Sequence, residues 1–114
     1  MSVQETQWSS QEREAAKSAL IAARQREMET LVAVVRSQVD KIENIDDIWR
    51  LHDFLSTQRH YIDGKYDDQE SGLLFVLSGL VKEGWLTLDE LKPLSPEKLA
   101  KISALSRMRL GSLS

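Results

Sequence analysis

From Ser9 to about Ile42 the chain runs without a glycine or a proline, and that unbroken stretch constrains the fold more than any other feature. Ala15, Ala16, Ala19, Ala22 and Ala23 are strong helix formers. Ser9 and Glu12 have the S-x-x-E spacing in which each side chain satisfies a free N–H at a helix start. One helix over this span is predicted, with the residues before Trp8 frayed. Roughly thirty residues at 1.5 Å each reach about 45–50 Å, more than the diameter of a compact domain of this size. The apolar positions Leu20, Met28, Leu31, Val35, Val39 and Ile42 recur at helical spacing. Part of that stripe therefore overhangs a single protomer. The preferred reading is a homodimer that pairs long helices in an antiparallel manner, with Leu31, Val35 and, on the next helix, Ile48 at the contact.

The remaining punctuation predicts a small helical head. A second helix starts at Asn44, with Asp46 and Asp47 where carboxylates favour a helix N-terminus, and ends near Asp63 because Gly64 suits a left-handed C-cap. A third starts at Asp67, where Asp67 and Glu70 have cap spacing, and closes at Gly84. Its residues Leu73 to Leu77, Leu80 and Val81 are apolar around most of the circumference, as befits a central helix. Thr87 and Glu90 cap a single turn that Pro93 ends, and Ser95 with Pro96 starts a last helix to about Met108, buried along Leu99, Ile102 and Leu105. No segment alternates with period two, so the class is all-α. The domain reading is a tail over 1–8, one helical domain over 9–110 and a tail over 111–114.

Composition excludes several functions. A net charge of -3 and 29% charged residues describe an ordinary water-soluble chain. An acidic balance gives no global attraction for nucleic acid. The basic residues Lys98, Lys101, Arg107 and Arg109 are read as complements to the last helix's dipole. The longest apolar run, Gly72 to Val81, is far short of the roughly 20 residues that span a bilayer, and the polar start is no secretory signal, so a cytoplasmic location is expected. With no cysteine, disulfides, thiolate catalysis and Cys-based zinc sites are ruled out.

Chemistry concentrates on the second helix. At 100° per residue, Ile48, Leu51, Leu55 and Ile62 share one side, read as a core stripe, while Trp49, His52, Asp53, Ser56 and His60 share another with Arg59 at its boundary. An aromatic ring and a guanidinium are the side chains that dominate protein interfaces, which favours recognition over catalysis. The helix is equally compatible with Trp49 buried beneath the first helix, His52 and Asp53 sharing a local hydrogen bond, and Arg59 a solvated charge. Catalysis is disfavoured: His52 and Asp53 are adjacent, so they point about 100° apart rather than forming a base and its orienter, and no nucleophile stands nearby. His52 and His60 are about 12 Å of rise apart, too far to share a metal. The run Tyr66 to Gly72 lacks the register of a calcium loop.

The stretch IDDIWRLHDFLSTQRHYIDGKYDD, residues 45–68, resembles the cyanobacterial fluorescence recovery protein family. The likeness extends from about Trp8 to Leu110 and includes the WSSQE start, the FVLSGLVKEG segment and the KISALSR end. The resemblance implies an all-α homodimer that binds the photoactivated orange carotenoid protein, chiefly its C-terminal domain. Binding speeds that partner's return to the resting orange form and so ends quenching of the phycobilisome. The family's functional cluster falls here on Trp49, His52, Asp53 and Arg59. The carotenoid belongs to the partner, so no cofactor, small-molecule substrate or enzymatic step is implied. Phe75 and Lys101 form a candidate second contact area on the head, although Phe75 alone is more often core. A peripheral position at the cytoplasmic face of the thylakoid follows from the same likeness. The rival reading keeps the dimer as a scaffold or assembly factor for an antenna component.

Overall fold

The computed structural model describes residues 7–67 and 69–108. The described residues form four helices, α1 (Ser10–Asp40), α2 (Ile45–Lys65), α3 (Leu73–Glu83) and α4 (Pro96–Arg107), with 3-10 turns at Glu70–Gly72 and Leu88–Leu91. No strand is present among the described residues. The expected capping box starts α1: Ser9 Oγ accepts from the Glu12 N–H at 3.1 Å, and Glu12 Oε1 accepts from the Ser9 N–H at 3.0 Å. α1 is 31 residues long, about 46 Å. The molecule extends 57 × 33 × 21 Å with a radius of gyration of 17.1 Å. A compact chain of this length would have about 13 Å. The excess is an arm, formed by the second half of α1 and the first half of α2, that projects from a helical head.

The head is built on a single stripe of α1. Its buried residues Glu12, Ala16, Ala19, Leu20, Ala23 and Glu27 follow helical spacing, with alanines in the middle and a glutamate at each end. The small alanines admit Leu73, Leu77 and Leu80 of α3 together with Leu86, Leu91, Leu94 and Ile102. α3 ends at Gly84, whose φ of 89° is the left-handed geometry a C-cap requires. That turn sends Leu86 back into the core, with its N–H bonded to the Leu80 carbonyl. Trp8 also belongs to this core, at 4% exposure. The folded unit therefore takes in Trp8, which the expected boundary between residues 8 and 9 leaves in a tail; a cap marks where the helix starts, not where burial starts, and a ring of that size is buried just ahead of it. The rest of the expected 1–8 tail, apart from Gln7, lies outside the described residues, as do Arg109, Leu110 and the tail over 111–114.

Each terminal glutamate of the stripe holds a lysine. Lys98 Nζ lies 3.1 Å from Glu12 Oε1, donates to the Gln7 carbonyl at 2.6 Å and stands 5.0 Å from the Trp8 ring centroid. Glu12 Oε2 accepts the Ser95 N–H at 2.8 Å. Burial alone would raise the Glu12 carboxyl; the N–H groups of Ser9 and Ser95 and the Lys98 ammonium reverse this and hold it below its ordinary value. At the other end, Lys65 Nζ reaches the two Glu27 oxygens at 2.8 and 2.9 Å. On the flank of the stripe, Arg26 makes a paired contact with Glu90 at 3.0 and 2.6 Å, which brings that carboxyl down to about 2.

Two helix boundaries depart from expectation. α2 runs past Gly64 to Lys65 because the Lys65 ammonium is drawn to Glu27, and this tertiary ion pair prevails over the stop signal of the glycine. α3 starts at Leu73 rather than Asp67. Asp67 Oδ1 instead accepts the N–H of Gln69 at 3.0 Å, the two-residue turn such side chains favour, and Glu70 pairs with Arg13 of α1.

Because the Glu12–Lys98 pair is buried and satisfied, Glu12→Ala should cost about 3 kcal/mol by leaving the ammonium uncompensated. Urea unfolding at fixed chain concentration reads this as a lower midpoint. The folded-state carboxyls of Glu12 and Glu90 are both depressed, so their stabilisation is complete above the unfolded value of 4.5 and is lost as pH falls below it, through about 2 for Glu90. Unfolding midpoints should accordingly drop with decreasing pH across that window.

Candidate functional site

α2 is positioned at its start by local bonds. Asn44 Oδ1 caps the helix by accepting the Asp47 N–H at 3.1 Å, and Asp47 also accepts the Glu43 N–H at 3.0 Å and pairs with Arg50 at 2.9 Å. The link over 41–44 is short, so α2 folds back along α1 as a helical hairpin. At its far end Ile62 is its one fully buried residue.

The expected core stripe of α2 is covered only in part. Leu51 and Leu55 are half-buried, and Ile48 is 42% exposed. The head ends before it reaches them, which is why a helical face specified as apolar stays uncovered within one chain. On the other side, Trp49 is 57% exposed, which decides against its burial beneath α1. Its ring stands edge-on to His52, with centroids 6.4 Å apart and planes at 87°. Asp53 and Arg59 are exposed as well, and Arg59 Nε lies 3.7 Å from Asp63 Oδ2, beyond hydrogen-bond length. Its guanidinium remains available to a stronger carboxylate.

His52 Nδ1 and Asp53 Oδ1 come within 3.4 Å, although adjacent helix positions were expected to diverge. Both side chains reach into solvent, where they are free to bend together. The contact is at the long limit for a hydrogen bond, and no hydroxyl bonds the imidazole among the described residues. The described residues also contain no group of three or more His, Cys, Asp or Glu side chains arranged to hold a metal. What the helix offers is an aromatic edge with a carboxylate beside it, and a solvated guanidinium about 9 Å farther along the axis from Asp53.

On the head, Phe75 is 68% exposed rather than core. It lines a concavity of ≈ 380 Å³ with Leu74, Lys101, Ala104 and Leu105, so Phe75 and Lys101 do meet at one place. The face on α2 and this concavity belong to different elements. Leu31 and Val35 on the arm are half-buried, and Val32, Val39, Ile45 and Phe54 around them are exposed.

Sequence reasoning missed the lysine-centred cluster at the end of α2. Lys65 bonds Glu27 and Glu83, while Tyr61 donates to Glu83 and Tyr66 donates to Glu27 at 2.7 Å. The available signal was Glu27 itself, a carboxylate in register with the buried Ala16, Ala19 and Ala23. A buried acid at that spacing calls for a cation. Since Trp49 and Arg59 are solvent-facing, Trp49→Leu and Arg59→Leu should each change the unfolding free energy by less than about 0.5 kcal/mol in urea titrations.

The family model described as "Photoprotection regulator fluorescence recovery protein" matches residues 8–106. The fluorescence recovery protein of Synechocystis is 47% identical over 104 residues, covering 91% of this chain and 95% of that relative. Its solved structure superposes with a TM-score of 0.86 at 47% identity, covering 90% of this chain and 100% of that one. The fluorescence recovery protein structure from Fremyella diplosiphon gives the same TM-score of 0.86 at 52% identity, again over 90% of this chain and 100% of that one. On matches that span nearly the whole fold, this chain belongs to the fluorescence recovery protein family of photoprotection regulators.

Proposed function

We propose that the chain binds the photoactivated orange carotenoid protein, through that partner's C-terminal domain, and accelerates its return to the resting orange form, ending quenching of the phycobilisome. The observation that carries this reading is the exposed Trp49, edge-on to His52 and followed on the same helix by the exposed Asp53 and Arg59, where solvated side chains are ordinarily short or charged. Trp49 packs on apolar surface that the partner uncovers when its domains separate, and Asp53 and Arg59 orient it through charged hydrogen bonds. No covalent step is needed: a module that binds the transition arrangement better than the active state lowers the barrier between them. Phe75 and Lys101 make the second contact, on the head.

The working form in this reading is a homodimer. Val32, Val39, Ile45, Ile48 and Phe54 leave the arm with more exposed apolar surface than a lone chain keeps in water, and a second copy laid along it covers Leu31, Val35 and Ile48. Ile48 and His52 are four apart and so are neighbours on α2. The dimer contact then borders the partner-binding face, with His52 at the seam. No helix of the described residues is long and apolar enough to cross a membrane. The reading places the protein peripherally at the cytoplasmic face of the thylakoid, where its partner meets the antenna.

Mixing the protein with activated carotenoid protein and following absorbance in darkness tests this directly. Substoichiometric protein should speed recovery, and Trp49→Leu or Arg59→Leu should reduce the acceleration about tenfold or more. Binding without a change in rate would mark a scaffold instead, and unaltered kinetics in both variants would remove the face from the mechanism. Ile48→Glu should shift the mass in light scattering toward the 13.0 kDa of one chain.

A further inference from the structure

α2 carries the candidate face, yet Ile62 is the one fully buried residue in that helix. The hydrogen bonds by which Tyr61, Lys65 and Tyr66 reach other helices converge on Glu27 of α1 and Glu83 of α3. Lys65 is the hub. Its ammonium lies 2.8 Å from Glu27 Oε1 and 2.5 Å from Glu83 Oε1. It also lies 4.6 Å from the Tyr61 ring centroid, 5.6 Å from that of Tyr66 and 6.0 Å from that of Trp85. One side chain thus joins all three helices that meet where the arm leaves the head.

Stability alone does not call for this arrangement, because a buried ion pair contributes little over apolar residues of the same volume. What a directional cluster supplies is a fixed geometry. In the covalent link from α2 to α3, Tyr66, Asp67 and Gln69 are irregular, and the single 3-10 turn at Glu70–Gly72 does not by itself set an angle between arm and head.

We infer that Lys65 is a positioning residue: by binding carboxylates of α1 and α3 at once, it sets the arm against the head and so fixes the spacing between the Trp49–Arg59 face and the Phe75–Lys101 concavity. The inference rests on the reading of these two areas as contacts for one partner. Two linked contacts reinforce each other only when their spacing matches the target, since the second then binds at high effective concentration. The three rings around the ammonium exclude water from it and hold it to one position.

The test removes the cation and one anion together, as Lys65→Met with Glu27→Gln, so that no buried charge is stranded; Glu83→Gln alone removes the charge on the α3 side, where Lys65 and Tyr61 bond, leaves the Glu27 pair in place and serves if the first variant fails to fold. The chain has no cysteine, so Thr57→Cys and Ala100→Cys give unique spin-label sites on α2 and α4. Labelled chains are diluted with unlabelled ones to keep one labelled pair per assembly. The label-to-label distance distribution should broaden in both variants, with helical content retained. The protein concentration for half-maximal acceleration should rise about tenfold while the maximal rate holds. Phe75→Ala should weaken the parent and have no further effect in the variant, because the contacts are already uncoupled. An unchanged distance distribution, or effects of Phe75→Ala that add in full, overturns the inference. A parent protein whose kinetics ignore Trp49→Leu defeats the proposed function instead, and the distances still decide whether Lys65 sets the angle.

Discussion

The architecture depends on one stripe of α1, in which Ala16, Ala19 and Ala23 lie between Glu12 and Glu27. The alanines let α3 and the segments after it approach closely. The glutamates, about 22 Å apart along the helix, each capture a lysine from far along the chain: Lys98 of α4 at one end and Lys65 of α2 at the other. Burying a carboxylate is costly unless a cation and hydrogen bonds accompany it. The two glutamates therefore dictate where α2 and α4 must stand. Past Glu27 no residue of α1 is fully buried among the described residues, and the head stops there.

That stopping point divides the molecule into two parts of different character. The head is held by burial around Leu77, Leu80, Leu91 and Ile102. The arm is a helical hairpin whose apolar residues are half-covered or exposed, so its order draws on whatever packs against it. α2 joins the two: one end of that helix is anchored in the head through Ile62 and Lys65, and the other carries Trp49 into solvent. A projecting, one-end-anchored helix is the geometry on which the proposed function rests.

Much of this organisation was readable from local signals. Capping boxes at Ser9 and Thr87, the Ser95–Pro96 start and the Gly84 stop appear as the spacing predicts, because each is settled by bonds within a few residues. The failures share a cause. Gly64 did not end α2, and Asp67 did not start α3, because Lys65 and Glu70 take distant partners, Glu27 and Arg13. The boundary before Ser9 likewise missed Trp8, whose burial depends on Lys98 and the core arriving from the far end of the sequence.

By itself the sequence determined that the chain is all-helical, that its first helix outruns its core, and that Trp49, His52 and Asp53 are neighbours on α2 with Arg59 farther along the same helix. Helix period and cap spacing are local properties, and they need no knowledge of what packs where. Only the tertiary structure decided that Trp49 is solvent-facing while Trp8 is core, that Phe75 is surface, and that Lys65 ties α2 to α1 and α3. Exposure and long-range charge pairing depend on which elements meet, and the physical reason that these meet as they do is the cost of burying Glu12 and Glu27 without a cation.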